Sequence, residues 1–289
     1  NLNYIWDNDV DTNGAMDLAF NKKNADKRKE WLSTTKNEVI DYNNPIVSIK
    51  NMVNKELIFF SHADNKRSLP DVIDGLKTTT RKILYGCFKR GLFGEKNEIK
   101  VSQLSGYISE HAAYHHGEMS LQGTIINMAQ TFVGSNNYSI LVPCGQFGSR
   151  LLGGKDASSS RYIFTYINKN IDKYFNRRDE PLYDYTDDDG FTTEPLRYVP
   201  VIPWILINGS HGIGTGYSTH IPCHELSNVI KCTNKIWNGE DVKPEELPPH
   251  YEGFSGGVLR VSKNKYITSG VYKKIASDTI LITELPIGK

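Results

Sequence analysis

The pair with the most chemistry in it is Arg161-Tyr162, inside the run Gly-Gly-Lys-Asp-Ala-Ser-Ser-Ser-Arg-Tyr-Ile-Phe-Thr-Tyr at 153–166. A phenol can act as a covalent nucleophile, but it holds its proton near neutral pH and needs a cation or a base beside it. Arg161 offers a permanent charge and a planar fork of donors that matches phosphate oxygens. Ser158, Ser159 and Ser160 are small enough to let the loop bend, as two adjacent side chains must if they are to reach one phosphate. The same dipeptide also fits a buried Tyr beside a surface Arg.

Three other places could carry chemistry. His115-His116 follows Tyr114 and precedes Gly117; such a pair can donate to a phosphate or accept a proton, and it equally fits a packed turn or a helix cap. No third ligand is spaced for a metal there. Gly212-Ile213-Gly214-Thr215-Gly216 lacks the lysine and the spacing of a nucleotide loop. Its glycines let a backbone approach a partner closely and present Ile213, either as an exposed wedge that could kink a duplex or as a core residue in a turn. Asp184, Asp187, Asp188 and Asp189 read as a solvated acidic loop rather than a metal site.

Elements must hold these residues in place. Residues 1–17 read as a polar loop, 18–32 as a helix, and 33–49 as a linker with short extended pieces. Helical patterns cover 54–63 and 77–90, the latter with Ile83, Leu84 and Phe88 on one face and Lys82 and Lys89 elsewhere. Two more helices, 101–112 and 119–132, flank the His115-His116 turn, a spacing that suits a helix-turn-helix of winged-helix type. Residues 181–194 read as a surface loop, 204–207 as a short buried strand and 225–237 as a helix. Strands of a small sheet are expected at 258–262, 266–273 and 279–283.

Bulk properties narrow the class. A chain of 289 residues, 38% hydrophobic and 23% charged, leads to an expectation of two globular domains. Four dispersed cysteines, Cys87, Cys144, Cys223 and Cys232, without a CxxC pair suit a reducing compartment. No run is long and apolar enough for a membrane span, and no signal peptide is visible. The first residue is Asn1 rather than Met, which suggests a fragment. The formal net charge is only +1, but seven basic residues against two acidic ones between Lys66 and Arg90 could follow a phosphate backbone or form a solvated helix face.

Nine blocks in register carry a family resemblance. They are Arg-Lys-Glu-Trp-Leu at 28–32, Asn-Lys-Glu-Leu-Ile at 54–58, Arg-Ser-Leu-Pro-Asp-Val-Ile-Asp-Gly-Leu-Lys at 67–77 and Arg-Lys-Ile-Leu-Tyr-Gly-Cys-Phe-Lys at 81–89. Ala-Tyr-His-His-Gly-Glu at 113–118, Phe-Val-Gly-Ser-Asn-Asn at 132–137, the Arg-Tyr loop, Asn-Gly-Ser-His-Gly-Ile-Gly-Thr-Gly at 208–216 and Ile-Thr-Glu-Leu-Pro at 282–286 complete them. The chain resembles the DNA breakage-reunion region of type IIA DNA topoisomerases of the eukaryotic or large-DNA-virus branch.

That resemblance implies an α+β multidomain fold: a winged-helix DNA-binding domain followed by the start of an α/β tower, or shoulder, domain. Residues 1–52 would follow an upstream metal-binding domain, 53–202 would form the winged-helix domain with the catalytic tyrosine, and 203–289 would begin the tower, stopping before its coiled coil. Tyr162 would attack a DNA phosphodiester, stay joined to the 5′-phosphate and release a 3′-hydroxyl. Arg161, His115, His116 and Arg67 would serve that site. Arg28, Lys29, Lys77, Arg81, Tyr114 and Gln130 would contact DNA, Asp74 would orient or cap, and Ile213 would bend the duplex.

Two departures from the family pattern stand out. Thr78-Thr79-Thr80 replaces Pro-Gly-Gln, with hydroxyls that could contact phosphate or cap the following helix, and serines replace alanines before Arg161. The resemblance places Mg²⁺ on a Glu and an Asp-x-Asp-x-Asp cluster upstream; Asp7, Asp9 and Asp11 alternate but lack that context, so no metal ligands are assigned here. ATP would bind elsewhere in the parent protein, which would pass one duplex through a four-base-staggered break in another. The partners implied are double-stranded DNA, a second protomer and the upstream domains, with no membrane, and this region alone would be a weak or inactive catalyst. The implied location is the nucleus for a cellular source, or a viral factory or virion for a viral one. A catalytically silent DNA-bending module is the alternative reading; a hydrolytic nuclease would need metal carboxylates that the sequence does not display.

Overall fold

The computed structural model describes residues 2–6, 10–35, 38–263 and 265–289. They fall into two compact units: Asn1–Pro70 with His211–His220, and Asp71–Ser210 with Ile221–Lys289.

In the first unit, strand β1 (Asn3–Ile5) pairs in parallel with β2 (Ile46–Ser48). Helices α1 (Val10–Phe20) and α2 (Ala25–Thr34) lie between them in sequence, followed by α3 (Ile49–Met52) and α4 (Ile58–Ser68). Residues 10–17 are therefore helical rather than a loop, because Ala15 and Met16 join Leu18 and Ala19 in a core with Trp31, Leu32, Val53 and Ile58. The helix expected over 18–32 is broken at Asn21. Its side chain reaches back to Asp17 at 2.7 Å and accepts from Lys23 N at 2.9 Å, opening a new helical turn. A π-helical turn, Val53–Leu57, joins α3 to α4 and presents Asn54 Oδ1 to the indole N–H of Trp31 at 3.0 Å.

The second unit begins with α5 (Thr78–Arg90), which buries Ile83, Leu84, Cys87 and Phe88 and ends at Gly91, whose φ of 69° only glycine adopts readily. After β3 (Ile99–Lys100) come α6 (Val101–His111) and α7 (Glu118–Ala129), then β4 (Leu141–Cys144) and β5 (Phe164–Ile167). β5 lies between β3 and β4, antiparallel to both. After α8 (Ile171–Tyr174), the segment expected as an acidic loop is instead a hairpin, β6 (Tyr185–Asp188) and β7 (Phe191–Pro195), turning at Asp189-Gly190 with φ of 49° and 85°. Three helices, a small antiparallel sheet and this hairpin form the winged helix of an α+β fold.

Other differences have local causes. Residues 204–207 belong to a helix, α9 (Trp204–Asn208), since a short apolar run cannot separate strand from buried helix; Trp204 joins Phe175, Tyr174 and Tyr138 in an aromatic core. Helix α7 stops at Ala129 rather than 132, where Asn136 Nδ2 donates to the Asn127 and Gln130 carbonyls at 2.7 and 3.0 Å. Lys82, expected outside the buried face, is drawn in by a buried partner on β7. The hairpin β8 (Ser210–Ile213) and β9 (Ser218–Ile221) precedes α10 (Leu226–Trp237). The strand expected over 266–273 splits at Gly270, where a Cβ would overlap the Glu284 carbonyl. Two antiparallel hairpins result, β10 (Gly257–Ser262) with β11 (Lys265–Ser269) and β12 (Val271–Lys274) with β13 (Ile280–Glu284).

Candidate active site

The loop between β4 and β5 carries Tyr162 near its end, where backbone bonds hold it. Val101 N donates to Ile163 O at 3.0 Å and Ser102 N to Ser160 O at 3.1 Å, so the otherwise unpaired first amides of α6 hold the residues flanking Tyr162. Tyr162 N closes a turn on Ser159 O at 2.9 Å. Further back, Ser149 donates its N–H and Oγ to the Asp156 carboxylate at 2.8 and 2.7 Å, and these bonds hold Asp156 below the ordinary carboxylate range. Gly148 and Gly154 both have positive φ; a Cβ on Gly148 would overlap the Gly154 backbone, and one on Gly154 would overlap the Gln130 side chain.

Gln130 lies just past α7 and is buried, donating Nε2 to Phe147 O at 2.9 Å. Its amide is turned inward here and braces this loop from beneath.

Tyr162 is 67% exposed, and the Arg161 guanidinium sits 5.0 Å from its ring centroid. The structure thus brings the adjacent pair together, with a permanent cation beside an accessible phenol. Behind it, Ser160 Oγ donates to Gln122 Oε1 at 2.7 Å and Gln122 Nε2 donates to Glu118 Oε1 at 2.6 Å. That chain ties the tyrosine loop to the first turn of α7, directly after His115-His116-Gly117.

The histidine turn is equally constrained. Ala113 has φ of 45°, uncommon for a residue with a side chain. Lys82 Nζ donates to Ala112 O at 2.5 Å and to Glu194 Oε2 at 2.8 Å, joining α5, the end of α6 and β7. His115 and His116 are exposed, and His115 Nε2 meets Asp188 Oδ2 on the hairpin at 2.9 Å. Tyr114 is only 8% exposed and packs edge-on against His116 at 5.4 Å. In this position it supports the His116 ring.

The basic residues divide. Arg81 is buried, with Nε 2.6 Å from Asp74 Oδ2, and Nη2 2.9 Å from Oδ1 and 3.0 Å from Leu76 O. These donors face the core. Asp74 orients, as its type suggested, accepting also from Leu76 N and Tyr198 N at 2.9 and 3.0 Å. Lys77 occupies the N-cap of α5, with its pKa pulled down by burial; the following threonines lie inside the first turn rather than at the cap.

In the first unit, Arg28 is half-buried and donates to the Leu18 and Asn21 carbonyls at 3.0 and 2.8 Å, closing the end of α1. Lys29 pairs with Asp26 at 2.9 Å and lies 5.8 Å from the Tyr217 ring. Arg67 lies 3.6 Å from Asp64, with a side chain 52% exposed. Ile213 is 68% exposed, while its flanking glycines lie against Ser68 and Asn65 of α4. The glycines therefore let the hairpin backbone pack closely against α4.

Sequence reasoning passes over Gln122, Asp64 and Asn65, and takes Asp188 only as part of a solvated acidic loop. Their partners lie 38 to 151 residues away, and no local spacing announces them. Two of the thiols are poor rivals to Tyr162 as nucleophiles: burial pushes Cys87 up to about 12 and Cys223 up to about 11. Among the described residues no cluster of three His, Cys, Asp or Glu could hold a metal ion. Asp7 and Asp9 lie outside the described residues. No helix among the described residues is long and apolar enough to cross a membrane.

The family described as the A-type subunits of DNA gyrase/topoisomerase IV matches residues 67–289, and that described as the C-terminal associated domain of TOPRIM matches residues 1–65. A DNA topoisomerase 2 of Plasmodium falciparum (isolate K1 / Thailand) is 49% identical over 288 residues, 99% of this chain and 20% of that protein. Another from Candida albicans is 48% identical over 273 residues, 94% of this chain and 18% of that protein. A solved structure, the crystal structure of the Plasmodium falciparum topoisomerase II DNA-binding, cleavage and re-ligation domain, matches with a TM-score of 0.84 at 48% identity, covering 99% of this chain and 38% of that one. The chain spans about a fifth of the length of these curated relatives.

Proposed function

The chain belongs to the type IIA DNA topoisomerases, as a breakage-reunion region, and we propose that Tyr162 cleaves and reseals DNA in it. The phenol oxygen bonds to a backbone phosphorus as the P–O3′ bond breaks. The phenol proton leaves to a base, the 3′ oxygen gains a proton, and the 5′-phosphate stays esterified to Tyr162. The ester preserves the energy of the broken linkage, so resealing is the same step reversed. The observation that carries this reading is the exposed Tyr162 under Arg161, on a loop fixed at the N-terminus of α6.

The geometry and the family membership support the following roles. Arg161 stabilises the charge that accumulates on the phosphorane. His115 and His116 are the candidate donors to phosphate or acceptors of the phenol proton. Arg67, Lys77, Lys29 and Arg28 contact the DNA backbone, Arg28 from a partly committed position. Ile213 wedges into a base step and bends the duplex. Arg81, Tyr114 and Gln130 support the second unit's part of the site from inside.

The parent protein acts as a dimer on double-stranded DNA, passing one duplex through another with ATP hydrolysis in an upstream domain. Catalytic Mg²⁺ belongs to an upstream metal-binding domain; the described residues offer no donor set for it, and no step here runs through it. We place the parent protein in the nucleus, in keeping with its eukaryotic relatives. Residues 1–52, 53–202 and 203–289 are proposed as successive functional segments, not as separately packed cores.

Substituting Tyr162→Phe in the full-length protein tests this. Binding and bending should persist while covalent protein–DNA complexes disappear; covalent complexes at the wild-type level would overturn the assignment.

A further inference from the structure

The Ile213 hairpin tip is 150 residues from α4 in sequence, yet two side chains of α4 hold it. Asn65 Nδ2 donates to Thr215 O at 3.0 Å, and Thr215 Oγ1 donates to Asp64 Oδ2 at 3.2 Å. Asp64 is itself fixed, accepting from Ser68 Oγ at 3.0 Å and lying 3.6 Å from Arg67 Nη2. On either side of Ile213 the backbone presses onto the same helix, since a Cβ at Gly212 would overlap the Ser68 carbonyl and one at Gly214 would overlap Asn65 Oδ1. That oxygen is buried without a hydrogen-bond partner among the described residues. A polar atom left so is costly, and its presence beside the hairpin tip marks a position fixed for more than packing.

We infer that Asp64 and Asn65 are positioning residues that set the DNA wedge at Ile213, which rests on the reading of Ile213 as the bending residue. A wedge that opens a base step is pushed back by the stack it parts. A hairpin tip tied only through its own two strands would yield. Here the backbone on both sides of Ile213 is clamped to a helix, so the exposed side chain is backed by α4. The Asp64 carboxylate also meets Arg67, so the wedge and a proposed phosphate contact share one anchor. Loss of the clamp should therefore lower bending more than affinity, because phosphate contacts dominate affinity.

The test uses the full-length protein and a duplex of about 30 base pairs labelled at both ends, with bending read by energy transfer. Asn65→Ala and Gly214→Ala attack the contact from opposite sides, and Thr215→Val removes the hydroxyl with little change of shape. Each should keep DNA affinity within about threefold of wild type. Each should lose about half or more of the bending signal, with thermal unfolding run beside it to catch misfolding. Asn65→Ala on top of Ile213→Ala should bend no less than Ile213→Ala alone, which a general structural defect would not produce. Wild-type bending in the Asn65, Gly214 and Thr215 variants, while Ile213→Ala loses it, would overturn the clamp and leave the wedge standing. Wild-type bending by Ile213→Ala would remove the wedge reading and the clamp with it.

Discussion

Lys82→Met should be among the more damaging single changes in the second unit, although Lys82 lies far from Tyr162 in sequence. The Lys82 and Glu194 side chains are 12% and 4% exposed, with Nζ 2.8 Å from Oε2. At an effective dielectric near 20, charges that close attract by about 6 kcal/mol, a gain largely offset by the cost of taking both out of water. Removing only the lysine leaves the offset behind: Glu194 stays buried without its cation, and Ala112 O loses its donor. Breaking such a pair costs about 3–5 kcal/mol. For a unit of this size that corresponds to a fall in Tm of roughly 6–20 °C.

Lys82→Met/Glu194→Leu removes both charges and should recover to within about 1 kcal/mol of wild type. Urea unfolding of the four proteins closes the cycle, and the expected coupling is about 3 kcal/mol or more. A loss below about 1 kcal/mol for Lys82→Met, or simple additivity in the double variant, would refute the claim that this pair pins the hairpin to the histidine turn.

Other outcomes follow from the site. Arg161→Ala should slow covalent-complex formation about 100-fold, near 3 kcal/mol, with DNA affinity little changed in a filter-binding assay; unchanged cleavage would remove Arg161 from the mechanism. Gln122→Ala should cut the tie between Ser160 and Glu118 and reduce cleavage about tenfold or more through misplacement of Tyr162, with the Tm shifted only slightly. Asp156 has a folded pKa below its ordinary 3.8, so its contribution is complete above that value and is lost as pH falls below it. Proteolysis of the tyrosine loop should accelerate in that acid window, and Asp156→Asn should flatten the dependence.

What the sequence disclosed was mostly local. The Arg161-Tyr162 loop, the two helices around His115-His116 and the exposed Ile213 were all legible, because small residues, helical periodicity and paired glycines act over a few positions. Arg81 was not. An arginine in the first turn of a helix looks the same whether it faces phosphate or the core, and Asp74 turns it inward only once the intervening residues 75–80 fold. Tyr114 and Gln130 escape sequence reasoning for the same cause, since their burial depends on distant packing. Residues 204–207 were ambiguous in principle, because a four-residue apolar run has no period to read. The Asp188–His115, Gln122–Ser160 and Asn65–Thr215 contacts join segments that only the tertiary fold brings within reach.

The most direct test of the central claim is to isolate the covalent product. The full-length protein would be incubated with Mg²⁺ and supercoiled plasmid, stopped with detergent, digested, and its peptides analysed by mass spectrometry. A nucleotide joined through its 5′-phosphate to the peptide containing Tyr162 is the predicted result. DNA bound and bent with no adduct on Tyr162, or an adduct on any other residue, would contradict the account.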